Sequence, residues 1–171
     1  MNAYELRSIA PSDLTGPASL GDALLALNNS HAQELSWLEP ERLAHLISQA
    51  FLARRIGDLD AVLLAFDQDA TYDSPNFLWF RDRYSRFVYV DRIVVASSAR
   101  GRGLARRLYE DLFEHAARAR HDRIFCEVNL IPPNPVSDAF HAALGFAEVG
   151  QASIRRGSRT VRYLSRACEP R

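Results

Sequence analysis

Ile93-Val94-Val95-Ala96-Ser97-Ser98-Ala99-Arg100-Gly101-Arg102-Gly103-Leu104-Ala105-Arg106 runs from an apolar strand through a short loop and two glycines into a helix. Gly101 and Gly103 let the backbone turn tightly and put no side chain between its amides and a ligand. The first amides of the following helix have no intrahelical partner, and the dipole makes that end electropositive. The stretch therefore reads as an anion site suited to a phosphate or pyrophosphate, with Arg100, Arg102, Arg106 and Arg107 adding cationic side chains. It matches neither of two familiar nucleotide loops. No lysine is present for a Walker pattern, and Arg106 stands where a dinucleotide fingerprint wants a third glycine. Taken alone, it is described equally well as a glycine-punctuated helix start with solvated arginines.

Outward from this stretch, hydrophobic periodicity gives a series of short elements. Phe87 to Val95 is a strand, and Leu104 to Arg118 is an amphipathic helix with Leu104, Leu108, Leu112 and Ala116 on one stripe. Downstream, Arg123 to Leu130 reads as a strand, and Pro132-Pro133-Asn134-Pro135 as a break. A helix carrying Ala139, Phe140, Ala143 and Leu144 follows, capped by Gly145, and then strands at Phe146 to Val149 and Arg159 to Leu164. Upstream, Tyr4 to Ile9 alternates with period two, and Leu14 to Leu27 is helical in part. A second helix starts at Glu39-Pro40-Glu41 and keeps its spacing through Phe51 toward Gly57, before a short buried strand at Ala61 to Phe66. Asp67 to Phe80 is expected to hold a turn, a further strand and a loop. The resulting order, β-α-α-β-β-β-α-β-α-β-β, is that of a mixed α/β layered domain.

The length of 171 residues suits one domain and is too short for two ordinary ones. A composition of 47 % hydrophobic and 25 % charged residues excludes collagenous, disordered and membrane-spanning classes. The 21 basic residues, all arginine, balance 21 acidic ones, so no global field draws in nucleic acid or an anionic membrane. Cys126 and Cys168 follow neither a redox nor a metal-ligand spacing, which fits a reduced, cytoplasmic environment and no metal. The first residues, Met1 to Arg7, lack the pattern of a signal peptide.

Several ordered landmarks accompany the glycine turn. Arg100-x-x-Gly103-x-Ala105 after an apolar strand, then Glu127-Val128, Asn134 and Leu144-Gly145-Phe146, resembles the GNAT superfamily of N-acetyltransferases from Phe87 to Val149. The pattern Asp91 to Val95 with Glu127-Val128-Asn129, Pro132 to Pro135 and Phe140-His141 resembles a branch of that superfamily with no assigned substrate. The resemblance implies a single domain over 1–171, with a mixed, mostly antiparallel central sheet flanked by helices. It implies that the backbone of Ile93, Val94 and Val95 pairs with the pantetheine arm of acetyl-CoA. By the same resemblance, the turn of Gly101, Arg102, Gly103, Leu104, Ala105 and Arg106 holds the pyrophosphate, and Asn134 contacts the arm where the central strands splay apart.

Acetyl transfer to an amine requires a base for the acceptor, a donor for the oxyanion of the tetrahedral intermediate and a proton for the leaving thiolate. Glu127 stands where some superfamily members use a glutamate as base; a carboxylate pairing with an arginine at a strand edge is the plainer account. His141 lies four residues before Gly145, where the superfamily usually has a tyrosine acid. It could serve as that acid, or sit on a helix surface while the thiolate leaves unassisted; Tyr109 and Tyr84 are possible substitutes for the missing phenol, with less support from position. Asp91 shares a strand face with Tyr89 and Ile93 by period two and is a candidate to bind the amine. Trp37, Trp79 and Tyr84 are candidate walls of the acceptor site, and Asn28 to His31 a candidate acceptor loop. Cys126 should face away from Glu127 as a buried small hydrophobe. The expectation is an enzyme moving acetyl from acetyl-CoA to a primary amine, of a small molecule or a peptide, by direct attack in a ternary complex. A non-catalytic acyl-CoA-binding regulatory module is the alternative, and a nucleic-acid binder built on the arginines is disfavoured by the zero net charge. Edge strands could pair two copies into a homodimer.

Overall fold

Residues 4–169 are described by the computed structural model. Met1 to Ala3, at the start of the segment read for a signal pattern, lie outside the described residues. Seven strands form one sheet: β1 (Leu6–Ser8), β2 (Leu52–Ile56), β3 (Ala61–Asp67), β4 (Phe87–Val95), β5 (Arg123–Ile131), β6 (Ala147–Ile154) and β7 (Arg159–Ala167). Their order across the sheet is β1-β2-β3-β4-β5-β7-β6, with neighbours antiparallel except the central pair, β4 and β5, which is parallel. The helices are α1 (Gly21–Asn29), α2 (Pro40–Gln49), α3 (Pro75–Arg81), α4 (Leu104–Arg118) and α5 (Pro135–Ala143). This is the mixed, mostly antiparallel sheet flanked by helices that the sequence led us to expect.

Strand alternation divides the buried residues between the two faces. On one face Leu104, Leu108, Tyr109, Leu112 and Ala116 of α4 pack on Leu63, Val88, Val90, Ile124 and Cys126. On the other, Leu24 of α1, Leu43, Leu46 and Ile47 of α2, and Phe77 and Phe80 of α3 pack on Phe66, Phe87, Tyr89 and Phe125. Within α4, four core residues recur every fourth position, which is why that helix lies flat along the sheet.

Two expectations are corrected. The helix starting at Pro40 does not run to Gly57: it ends at Gln49, Ala50 turns extended, and Leu52–Ile56 enters the sheet between β1 and β3. Arg54, in the middle of that strand, reaches across to α4, its Nε 2.8 Å from Asp111 Oδ2. Between Asp67 and Phe80 there is a helix and no strand. Ser74 is extended, Pro75 occupies the first turn with its pre-set φ, and Phe77 and Phe80 fall on the same buried face.

The central pair positions the site. β4 and β5 are in register only at Phe87–Arg123, Val88–Ile124 and Tyr89–Phe125. Beyond these three pairs the strands part, and a cleft opens between them.

Candidate active site

The cleft has a volume of about 490 Å³ and is lined at its centre by Val90 to Ile93 of β4 and Cys126 to Asn129 of β5. Glu127 lies on its floor. Asn76 of α3 donates from Nδ2 to Glu127 Oε1 at 3.0 Å, and the Tyr163 hydroxyl donates to Asn76 Oδ1 at 2.9 Å. Burial pushes the Tyr163 phenol up to about 12, so it stays protonated and fixes which way the Asn76 amide faces. Glu127 as a residue keeps some exposure along the cleft, but its Oε2 is out of solvent and has no hydrogen-bond partner among the described residues. Burial pushes the carboxyl up to about 8; the nearby Tyr89 phenol and the Asn76 amide pull against that rise, and the Asp91 charge adds to it.

Asp91 also faces the cleft, and its surroundings differ. Tyr72 donates its hydroxyl to Oδ1 at 2.6 Å, and Arg92 donates Nε to Oδ2 at 2.6 Å. Both side chains of that ion pair are almost fully buried, at 7 % and 5 % exposure. Arg92 is held from its far end by Asn28 Oδ1 at 2.6 Å. Burial alone would push the Arg92 guanidinium down; Asp91 and Tyr72 outweigh it and hold it up. Asp91 thus accepts a structural hydrogen bond on each oxygen and has its charge matched by Arg92, so it reads as a structural ion pair rather than as the amine site. The alternation argument fails here as well. A bulge opposite Leu64/Ala65 inserts Asp91, so Asp91 and Arg92 both face the α1–α3 side while Ile93 packs toward α4.

His141 and Tyr109 meet on the other wall. The Tyr109 hydroxyl lies 2.7 Å from His141 Nε2, and His141 Nδ1 lies 2.8 Å from the Ser137 carbonyl oxygen. A carbonyl only accepts, so Nδ1 carries the proton and Nε2 accepts from Tyr109. Burial lowers the His141 pKa and keeps the ring neutral. His141 therefore stands beside the cleft with its free nitrogen committed to Tyr109, and the hydroxyl is the group of the pair that holds a transferable proton. Cys126 faces α4, away from Glu127, and burial pushes its thiol well up.

The glycine turn lies at the start of α4. Gly101 and Gly103 both have left-handed backbones, φ +75 and +71, and a Cβ on either would meet nothing within 4 Å. Gly103 is the N-cap, and no side chain caps the amides of Leu104, Ala105 and Arg106. The glycines thus keep open a space onto which free amides face. Of the arginines, Arg102 bonds the Tyr4 hydroxyl and lies over its ring, and Arg100 contacts His31 at 3.2 Å. Asn134 lines the cleft and caps α5, its Oδ1 accepting from the Ser137 amide at 3.2 Å. Ile93 lines the cleft, Val94 turns to the opposite face toward α1 and α2, and Val95 packs toward α4.

The aromatic acceptor candidates do not reach the cleft. Trp79 is stacked on Tyr163 at 4.4 Å, Tyr84 packs on Phe125 at 4.5 Å, and Trp37 is an exposed residue whose indole donates to Glu39. Asn28 and Asn29 are likewise structural, holding Arg92 and the backbone of Ser36 and Leu38. Sequence reasoning missed Asn76, Tyr72 and Arg92. For Asn76 a signal existed: Ser74-Pro75 is a helix-start pattern, and an asparagine in that first turn faces the sheet.

Among the described residues, no helix is long and apolar enough to cross a membrane, and no group of three or more His, Cys, Asp or Glu is placed to hold a metal ion. The model of the Acetyltransferase (GNAT) family matches residues 31–146. No match is found among curated proteins. Among solved structures, Ard1 from Thermoplasma volcanium superposes with a TM-score of 0.73 at 12 % identity, covering 98 % of this chain and 99 % of its own. The ribosomal-protein-S18-alanine N-acetyltransferase from Escherichia coli gives 0.68 at 15 % identity, covering 98 % and 95 %. The yncA protein of Salmonella typhimurium, solved with its cofactor acetyl-CoA, gives 0.70 at 14 % identity, covering 99 % and 96 %. At these identities the likeness is one of fold.

Proposed function

The chain belongs to the GNAT family of acetyltransferases, and from that premise we propose that it acetylates a primary amine, of a small molecule or a peptide, with Glu127 as the base. The observation that supports this most directly is the Glu127 carboxyl, with one oxygen oriented by Asn76 and the other buried and unpartnered beside the cleft.

The residues present fit acetyl-CoA, which supplies an activated acetyl thioester when bound. The open space at Gly101 and Gly103, with the free first-turn amides of Leu104, Ala105 and Arg106 beside it, suits a pyrophosphate, and Arg102 adds positive charge at its edge. Ile93 and Asn134 line the gap between the parted strands, and β4 continues beyond it through Val94 and Val95, so an amide-bearing arm could add along β4. Glu127, ionised above about pH 8, takes the proton that the acceptor amine gives up as its nitrogen bonds to the acetyl carbon. With the thioester bound, the Tyr109 hydroxyl would be the proton donor on this wall for the departing sulfur, turning from His141 Nε2 to do so. His141 orients that hydroxyl rather than acting as the acid itself.

Thermal unfolding with acetyl-CoA and CoA, beside ATP and NAD, tests the cofactor half of this reading. Ligand at a hundred times its dissociation constant stabilises by about 2.7 kcal/mol, a shift of roughly 5–10 °C for a domain of this size. Both CoA forms should shift the transition and NAD should not. Gly103→Val, a β-branched residue at φ +71 in the space kept for phosphate, should lose the shift while still melting cooperatively. No shift with either CoA form at millimolar ligand overturns the assignment.

A further inference from the structure

The charges around the cleft cancel in sum but not in place. Arg42 pairs with Asp73, and Arg92 with Asp91. That leaves Glu127 on the floor and Glu34, Arg155 and Arg159 at the rim, all lining the same cavity. Arg159 is held by backbone carbonyls alone, its guanidinium donating to the oxygens of Gln33 and Glu34, so its hydrogen bonds fix its place without neutralising its charge. The Arg155 side chain makes no hydrogen bond or ion pair among the described residues. Arg155 sits in a tight turn between β6 and β7 whose residues Arg155, Arg156 and Gly157 are all left-handed, with φ 52, 55 and 85. Two consecutive arginines in that region are strained, and such strain collects where a side chain must be aimed.

We propose that the acceptor is a primary amine bearing a carboxylate, its amine at Glu127 and its carboxylate between Arg155 and Arg159. This rests on the acetyltransferase reading and names the substrate class for it. Two guanidinium groups set against the single carboxylate of Glu34 leave one surplus positive charge at the rim, which matches a singly charged carboxylate better than a phosphate dianion. Planar guanidinium forks suit the carboxylate geometry. Burial and the Arg155 charge together lower the Arg159 pKa, a mutual repulsion that a bound anion relieves, and the Glu127 charge acts on Arg159 in the opposite sense. The two ends of the cleft thus favour opposite ends of one small molecule.

The test measures kcat/KM for the common amino acids, each beside its own carboxamide, together with dipeptides whose second residue is aspartate or asparagine. Loss of a charged hydrogen bond predicts a preference for the acid of about 10- to 100-fold. The amide's amine is the less basic and so the more available, which biases the comparison against this expectation. An acid preference in free amino acids points to the amino-acid carboxylate, and one confined to the aspartyl dipeptides points to a peptide side chain. Arg155→Gln, at an exposed side chain without hydrogen bonds, and Arg155→Gln with Arg159→Gln, should bring the ratio toward one while the KM for acetyl-CoA stays put. If no amine is turned over although acetyl-CoA shifts the melt, calorimetric titration of the same pairs in the presence of CoA reads the same ratio. If acetyl-CoA itself fails to bind, the acetyltransferase reading falls, and the titration against free protein still decides the anion site. Amides equal to acids, a preference that survives both variants, or no binding of any acid overturns the proposal.

Discussion

Glu127 and Asp91 are two carboxylates bordering one cleft, with opposite prospects set by their partners. Asp91 has the Tyr72 phenol on one oxygen and the Arg92 guanidinium on the other, so it is already matched within the fold. Glu127 has one neutral amide and a buried, empty oxygen, so its charge is costly and its proton is exchanged near the working pH. With its carboxyl raised to about 8, Glu127 is protonated at lower pH and cannot act as a base there. kcat/KM should therefore rise with pH toward about 8. In Glu127→Gln that contribution disappears: the slope of log kcat/KM against pH below 8 should fall by about one, and the rate by about 10²–10⁴. The difference in slope removes the acceptor amine's own titration from the comparison. A variant with the parent's slope takes Glu127 out of the proton transfer.

At the scale of elements, β6 and α3 are fitted to one another at a single atom. A Cβ on Gly150 would lie 2.7 Å from Trp79 Cζ2 and 2.9 Å from Cη2. The indole cannot easily yield, since it lies against Tyr163 at 4.4 Å and Phe80 at 5.2 Å, with the Arg83 guanidinium 4.1 Å over its ring. Gly150→Ala should destabilise the fold by about 1–3 kcal/mol in denaturant unfolding. Trp79→Phe, which removes the ring atoms in contact, should erase most of that cost in a double-mutant cycle; an unchanged cost would place the strain elsewhere. This coupling also marks the limit of what the sequence disclosed. β4 and α4 were legible to the residue because strong periodicity and glycine punctuation coincide there. β2 and α3 were not: their assignment is decided by what they pack against, an arginine reaching another helix in one case and an aromatic layer in the other. The bulge at Asp91 is likewise set by the partner strand, so period-two reading carried Ile93 to the wrong face. Asn76 was lost because its helix was, and Glu127 was found because its landmark lies on a strand that its own residues define.

Across the whole molecule, the three pairs that join β4 to β5 are the only sheet contact between the strands before α4 and those after it among the described residues. Past Tyr89 and Phe125, the backbone groups that the two strands turn toward each other have no strand partner. A ladder with missing rungs transmits little load. Until something occupies the gap, the sheet itself joins the halves β1–β4 and β5–β7 only by that short seam, and side-chain packing does the rest: α4 on one face, and on the other α3, whose Phe80 stacks on Phe125 and whose Asn76 bonds Tyr163. An arm bonded along β4 would complete the ladder. Acetyl-CoA should then slow amide exchange well into β7, beyond the residues that border the gap, and protection confined to the residues at the gap would mean that the halves were already one unit. On this account the first substrate is also a structural member. It stiffens the frame that holds Glu127 opposite Tyr109, and so imposes an order of assembly: the amine meets a rigid site only after the thioester is in place.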